Sequence, residues 1–185
     1  MDAGEKKALD DIEKYGCHVI HVLEDEEGPP FSYSVGVQKT SGVPEVIVIG
    51  LKQTIAHFVV NEYNSRVRAG ERFAPGTRHE GFLEGFRVQF EVVTPAHFDD
   101  YLGWDKWLYG GKNFEVLQII YPTTDGIWPW EPRASEWFRE RQPILSDHLR
   151  KGGLTPIRPP SVKRRVSVNV RSLGRQRGAR ETPQE

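Results

Sequence analysis

The stretch Glu45-Val-Ile-Val-Ile-Gly-Leu51 places apolar residues at both parities of a strand. Successive strand residues point to opposite faces, so a strand apolar on both needs cover on both sides and a central place in its sheet. That requirement constrains the fold more than any other feature of the chain.

The segments around it fill in the architecture. Residues 5–14 read as a short helix, with Ala8, Ile12 and Tyr15 near helical spacing and Gly16 as its stop. The β-branched run 17–23 and the stretch 31–37 read as strands separated by an acidic turn, and 39–44 as a loop. In 31–37 the bulky Phe31, Tyr33, Val35 and Val37 alternate with Ser32, Ser34 and Gly36, which leaves one nearly bare face. That face is open either to a helix or to a ligand.

Residues 53–69 carry Ile55, Phe58, Val59 and Val67 on one stripe, with Tyr63 beside it, so they form the one principal amphipathic helix. Arg66 and Arg68 in its last turn, followed by Gly70, suit the negative end of the helix dipole. Residues 71–81 read as a loop. Phe86, Val88, Phe90 and Val92 alternate with Arg87, Gln89, Glu91 and Val93, as expected for a half-exposed antiparallel strand. Thr94 and Pro95 open a short helix, 114–121 is a further strand, and 133–150 reads as a helix broken by Pro143. The sum is an α+β domain over 1–150 with a mixed or mainly antiparallel curled sheet, barrel-like closure being left open.

Charge divides the chain. Residues 151–185 hold nine Lys and Arg against two Glu, a net +7, which leaves −8 on residues 1–150 out of a total of −1. Without apolar periodicity, this basic tail is expected to be disordered. It lacks the aromatic interleaving of a base-stacking surface, so nucleic-acid binding through 151–185 is not favoured. The longest apolar runs are too short for a membrane-spanning helix. The polar N-terminus lacks the apolar segment of a secretory signal, and the single Cys17 excludes an internal disulfide. Cytoplasmic residence is the expectation.

No nucleophile elbow, metalloprotease helix, phosphate-binding loop or dinucleotide fingerprint occurs. His18 and His21 would share a helix face but point to opposite faces of a strand, so no metal site is assigned. His57, beside the stripe of helix 53–69, is a candidate base. Gln118 is the polar residue of an apolar strand and needs partners, from a neighbouring loop or a ligand. Trp104, Trp107, Tyr109, Trp128 and Trp130 lie on two segments flanking that strand, as pocket walls or as a small second core.

The motifs "YGCHVIHVLEDEEGPPFSYSVGV", "PEVIVIGL", "RAGERFAPG" and "YLGWDKWLYGG…FEVLQIIYPTTDGIWPW" occur in the order of a bacterial family, domain of unknown function 4262, which the chain resembles over roughly residues 12–132. Pro30, Phe31, Tyr33 and Gly36 match it in the first half; Tyr109, Gly110, Gly111, Gln118, Pro122, Asp125, Gly126 and Trp130 match in the second. Cys17 stands where the family has Trp, and Val43 where it often has His before the central strand. The resemblance implies a map of turns and aromatic walls and no reaction.

Two functions follow as expectations. The first is a non-catalytic or regulatory binding module for a small molecule or a protein partner, with Ser32, Ser34, Tyr109, Gln118, Trp128 and Trp130 as ligand-binding residues. The second is an enzyme with His57, Tyr33 and Glu45 as acid–base groups, in one variant using a flavin. The cofactor and the oligomeric state are left unassigned.

Overall fold

The structure, a computed structural model, describes residues 1–150. The basic segment 151–185, and with it every expectation about the tail, lies outside the described residues. The elements run α1 (Ala3–Tyr15), β1 (His18–Val22), β2 (Phe31–Val35), α2 (Val37–Ser41), β3 (Glu45–Ile49), α3 (Gln53–Arg68), β4 (Arg78–Leu83) and β5 (Phe86–Val92). A 3-10 turn at Pro95–His97 leads into α4 (Phe98–Tyr101), α5 (Gly103–Tyr109), β6 (Val116–Ile120), α6 (Glu136–Arg141) and α7 (Asp147–Arg150).

The fold is α+β, with six strands in the order β1-β2-β3-β6-β5-β4. β3 and β6 pair in parallel at the centre, and every other neighbouring pair is antiparallel. The sheet stays open at β1 and β4, so it is mixed and not closed into a barrel. β3 is buried at all five positions, as its two-sided apolar sequence requires. Val46 and Val48 enter a core with Val59, Val60 and Tyr63 of α3, while Ile47 and Ile49 enter a second core with Ile12, Phe98 and Leu102.

α3 lies across β1, β2 and β3. It therefore covers the small-residue face of β2, and Ser32 and Ser34 are 2% and 0% exposed. The bulky Phe31, Tyr33 and Val35 fill the opposite core. The phase of α3 differs from the expected stripe. Ala56, Val59, Val60, Tyr63 and Val67 are buried, whereas Ile55 and Phe58 are 40% and 53% exposed. Two long-range bonds pin this rotation: the Tyr63 hydroxyl donates to the Pro44 carbonyl at 2.7 Å, and Asn64 Nδ2 donates to the Tyr15 carbonyl at 2.9 Å.

Four further expectations are corrected. The strand expected to reach residue 37 stops at Val35, and α2 forms where a loop was expected. Gly36 turns the chain with φ 103°, and a Cβ there would come within 2.7 Å of Ile12 Cγ1. Residues 78–83 form an edge strand with an irregular register between His79 and Leu83. The polar face of β5 is covered: Gln89 donates to Glu91 at 2.6 Å and accepts from Arg78 Nε at 2.9 Å, while Val92 is exposed. Among the described residues no helix is long and apolar enough to cross a membrane.

Candidate functional site

Glu45 begins β3 yet is completely buried. Its backbone N–H donates to the Glu115 carbonyl at 2.8 Å, which fixes it in the parallel ladder with β6. Its Oε2 accepts from the Ser34 hydroxyl at 2.5 Å. Its Oε1 accepts from Gly36 N at 2.9 Å, Gln38 N at 3.0 Å and the Tyr109 hydroxyl at 2.5 Å. α2 has no side-chain cap of its own, so this distant carboxylate caps its first turn. Burial pushes the Glu45 carboxyl above the usual carboxylate range, against the pull of those four donors.

A second buried carboxyl lies beside it. Asp105 and Tyr109 stand four residues apart on α5, hence on one helix face. Asp105 is 0% exposed, and among the described residues neither of its oxygens has a hydrogen-bond partner. Lys106, its sequence neighbour, pairs with Asp99 at 2.8 Å instead. Burial first, and then the charge of Glu45, hold the Asp105 carboxyl well above its ordinary range, which favours its protonated form.

Two tyrosines complete this group. The Tyr33 hydroxyl accepts from Trp104 N at 3.3 Å and is pushed up by burial and by Asp105. The Tyr109 hydroxyl, pushed up by burial and by Glu45, also accepts from Lys39 N at 3.2 Å. Cys17 is close enough to feel Glu45, but burial pushes its thiol up to about 12, so it is a core residue and no nucleophile. α5 forms the outer wall. It is bracketed by Gly103 and by Gly110 and Gly111, and an added Cβ at any of the three would meet nothing within 4 Å. Trp107 is 37% exposed on its outer surface.

The candidate residues fall into three places. Glu45, Tyr109 and Tyr33 lie close enough to interact with the Asp105 carboxyl, and Ser34 joins the group through Glu45. Ser32 and His57 belong to a separate chain on the α3 side, joined through His21. His57 is thus not brought to Tyr33 and Glu45. Gln118 ties down the segment before α7, donating to the Pro143 carbonyl and accepting from Leu145 N, both at 2.8 Å. Trp128 and Trp130 stack at 5.1 Å and 14°, with Trp128 under the Arg78 guanidinium and packed with Ile120 and Ile144. A surface groove of about 530 Å³ lies at the β4–β5 turn, lined by Glu80, Leu83, Glu84 and Arg87, and no candidate side chain reaches it.

Asp105 is the residue that sequence reasoning passed over. Its only signal was a carboxylate set among the aromatics of Trp104 to Tyr109, four residues before a tyrosine already singled out. A family model described as "Domain of unknown function (DUF4262)" matches residues 11–135. No curated protein and no solved structure matches the chain.

Proposed function

Because the chain belongs to the DUF4262 family, whose description assigns no activity, we propose a function from the geometry of the site. The protein is a binding module for a small molecule carrying a cationic or hydrogen-donating group, which Asp105 and Glu45 receive. Asp105 carries this reading. A buried polar group without a partner is destabilising by roughly 1–3 kcal/mol, and a fold that needed only packing there would use an apolar residue. Asn64 Oδ1 and Ser146 Oγ are also buried without partners, but each is one atom of a group with less to satisfy. Asp105 offers two acceptor oxygens beside a second carboxyl and two hydroxyls.

Access comes from α5. The glycines at its two ends have open space around them, and release of the Tyr109–Glu45 bond is the step that lets α5 move and uncover Asp105 and Tyr109 together. A cationic group then replaces the proton on Asp105. Native mass spectrometry of the freshly purified full chain, set against its denatured mass, tests the reading. The expected result is a low-mass adduct on the wild type that is lost in Asp105→Asn. A bare wild-type mass, with no thermal stabilisation by ethylamine as the simplest cationic probe, sinks it.

One observation favours a second reading as an acid–base enzyme. Glu45 accepts four hydrogen bonds and Asp105 none, so their protons are held unequally, as a donor and an acceptor require. In this reading Asp105 joins Tyr33 and Glu45 in the place expected for His57. Chemical conversion of the mass-identified ligand by the wild type, absent in Asp105→Asn, separates it from simple binding.

A further inference from the structure

A second polar chain lies on the α3 side of the sheet. Ser32 Oγ is 2.7 Å from His21 Nδ1, and His21 Nε2 is 3.1 Å from His57 Nδ1. The two rings have centroids 5.2 Å apart and are tilted by 40°. Exposure grades outward, from Ser32 at 2% through a half-buried His21 to an exposed His57. The order resembles a nucleophile, its base and an orienting group. Ser32, however, is sealed beneath α3 and cannot meet a substrate, so its role is to hold the His21 ring.

We propose that His21 Nε2 and His57 Nδ1 form a binding site for a divalent transition-metal ion of the zinc, nickel and copper class, with Ser32 as the outer partner that orients His21. The spacing supports this. At metal–nitrogen distances of about 2.0–2.1 Å, two imidazole nitrogens on one ion lie about 2.9 Å apart at a right angle and about 3.3 Å apart at the tetrahedral angle. The 3.1 Å separation falls between the two. The ion would take the place of the proton that the two nitrogens share in their hydrogen bond.

The surroundings fit the same role. When Ser32 Oγ accepts the Nδ1–H of His21, the tautomer is fixed and Nε2 is left free to ligate, the usual outer-shell arrangement of metal-bound histidine. The rings come from β1 and α3, two elements locked by packing, so the pair is set before an ion arrives. His57 is exposed, which gives an ion a route in and leaves the remaining positions to water. His18 takes no part: it points to the other side of β1 and meets Asp11 at 2.8 Å.

Calorimetric titration of the full chain with Zn²⁺ tests the proposal, with Cu²⁺ electron paramagnetic resonance reporting the nitrogens bound. The wild type is expected to take one equivalent with a two-nitrogen signature. His57→Gln, at an exposed position that leaves the fold intact, should weaken Zn²⁺ by about tenfold or more and remove one nitrogen. Ser32→Ala keeps both ligands and should weaken binding by about tenfold through the outer shell. His79→Gln should change nothing. No Zn²⁺ binding by the wild type, or equal affinity in wild type and His57→Gln, overturns the proposal.

Discussion

Glu45 at the head of β3 and Asp105 on α5 are both 0% exposed, yet their surroundings are opposite. Glu45 receives four donors from β2, the start of α2 and α5. Asp105 receives none among the described residues. Burial alone therefore does not say what a carboxyl is for. A buried acid whose acceptor sites are filled acts as a joint, here fastening α2 and α5 to the sheet end. A buried acid left bare destabilises the fold, and its retention points to something that arrives later.

The contrast is broken most forcefully at Glu45. Glu45→Leu leaves the Ser34 and Tyr109 hydroxyls and the Gly36 and Gln38 amides without their acceptor. The expected loss is about 3–5 kcal/mol in denaturant unfolding, the range for removing one member of a buried charged network. A loss below about 1 kcal/mol would mean that Glu45 is no joint. A smaller effect comes from Tyr109→Phe, which removes one charge-assisted bond and leaves the other three. It should cost about 1.5–3 kcal/mol. Because it also frees one end of α5, amide exchange in 103–109 should rise more than in β3. Equal rises in both would remove the distinction between wall and joint.

The two carboxyls also differ in how far the sequence disclosed them. Glu45 was named from the sequence as an acid–base candidate, but the four donors that meet it come from β2, α2 and α5 and were not legible there. Asp105 was not named, because a carboxylate beside Lys106 in a short aromatic segment reads as a solvated helix residue. Only the packing of α5 against β2, where Tyr33 meets Trp104, buries it. Similar reasons govern the rest. β3 announces itself by a continuous apolar run and β5 by alternation, while β4, with Arg78, His79 and Glu80 in an edge strand, has neither to show. The stripe of α3 was legible as a helix but not in phase, since Tyr63 and Asn64 bond residues far away in sequence. The His21–His57 pair spans 36 residues and exists only because α3 crosses β1. Gln118 was legible as a buried amide needing partners, and Pro143 and Leu145 provide them.

The smallest effect sharpens the comparison through pH. The folded-state pKa of Asp105 is raised, so in the folded state it holds a proton that the unfolded chain has already released. Its contribution to stability is present below the unfolded aspartate value of about 3.9 and is lost as pH rises through the folded value. Over that window stability falls by at most about 1.4 kcal/mol per pH unit for the one proton. His21 acts with the opposite sign. Held down at about 4, it makes stability rise between about 4 and the ordinary histidine value of about 6.5. Between about 4 and 6.5 the two slopes oppose each other, so the Asp105 contribution is read from the difference between the wild type and Asp105→Asn. Chemical denaturation at a series of pH values upward from the unfolded aspartate value of about 3.9 should therefore show the wild type losing stability relative to Asp105→Asn. Asp105→Asn, which has no proton to lose, should flatten that decline while changing stability near its top by less than about 1 kcal/mol. Glu45, raised as well, keeps whatever slope is left. If the variant and the wild type decline in parallel, Asp105 is ionised in the folded protein, and a bare buried charge of that kind could persist only with a partner already bound to it.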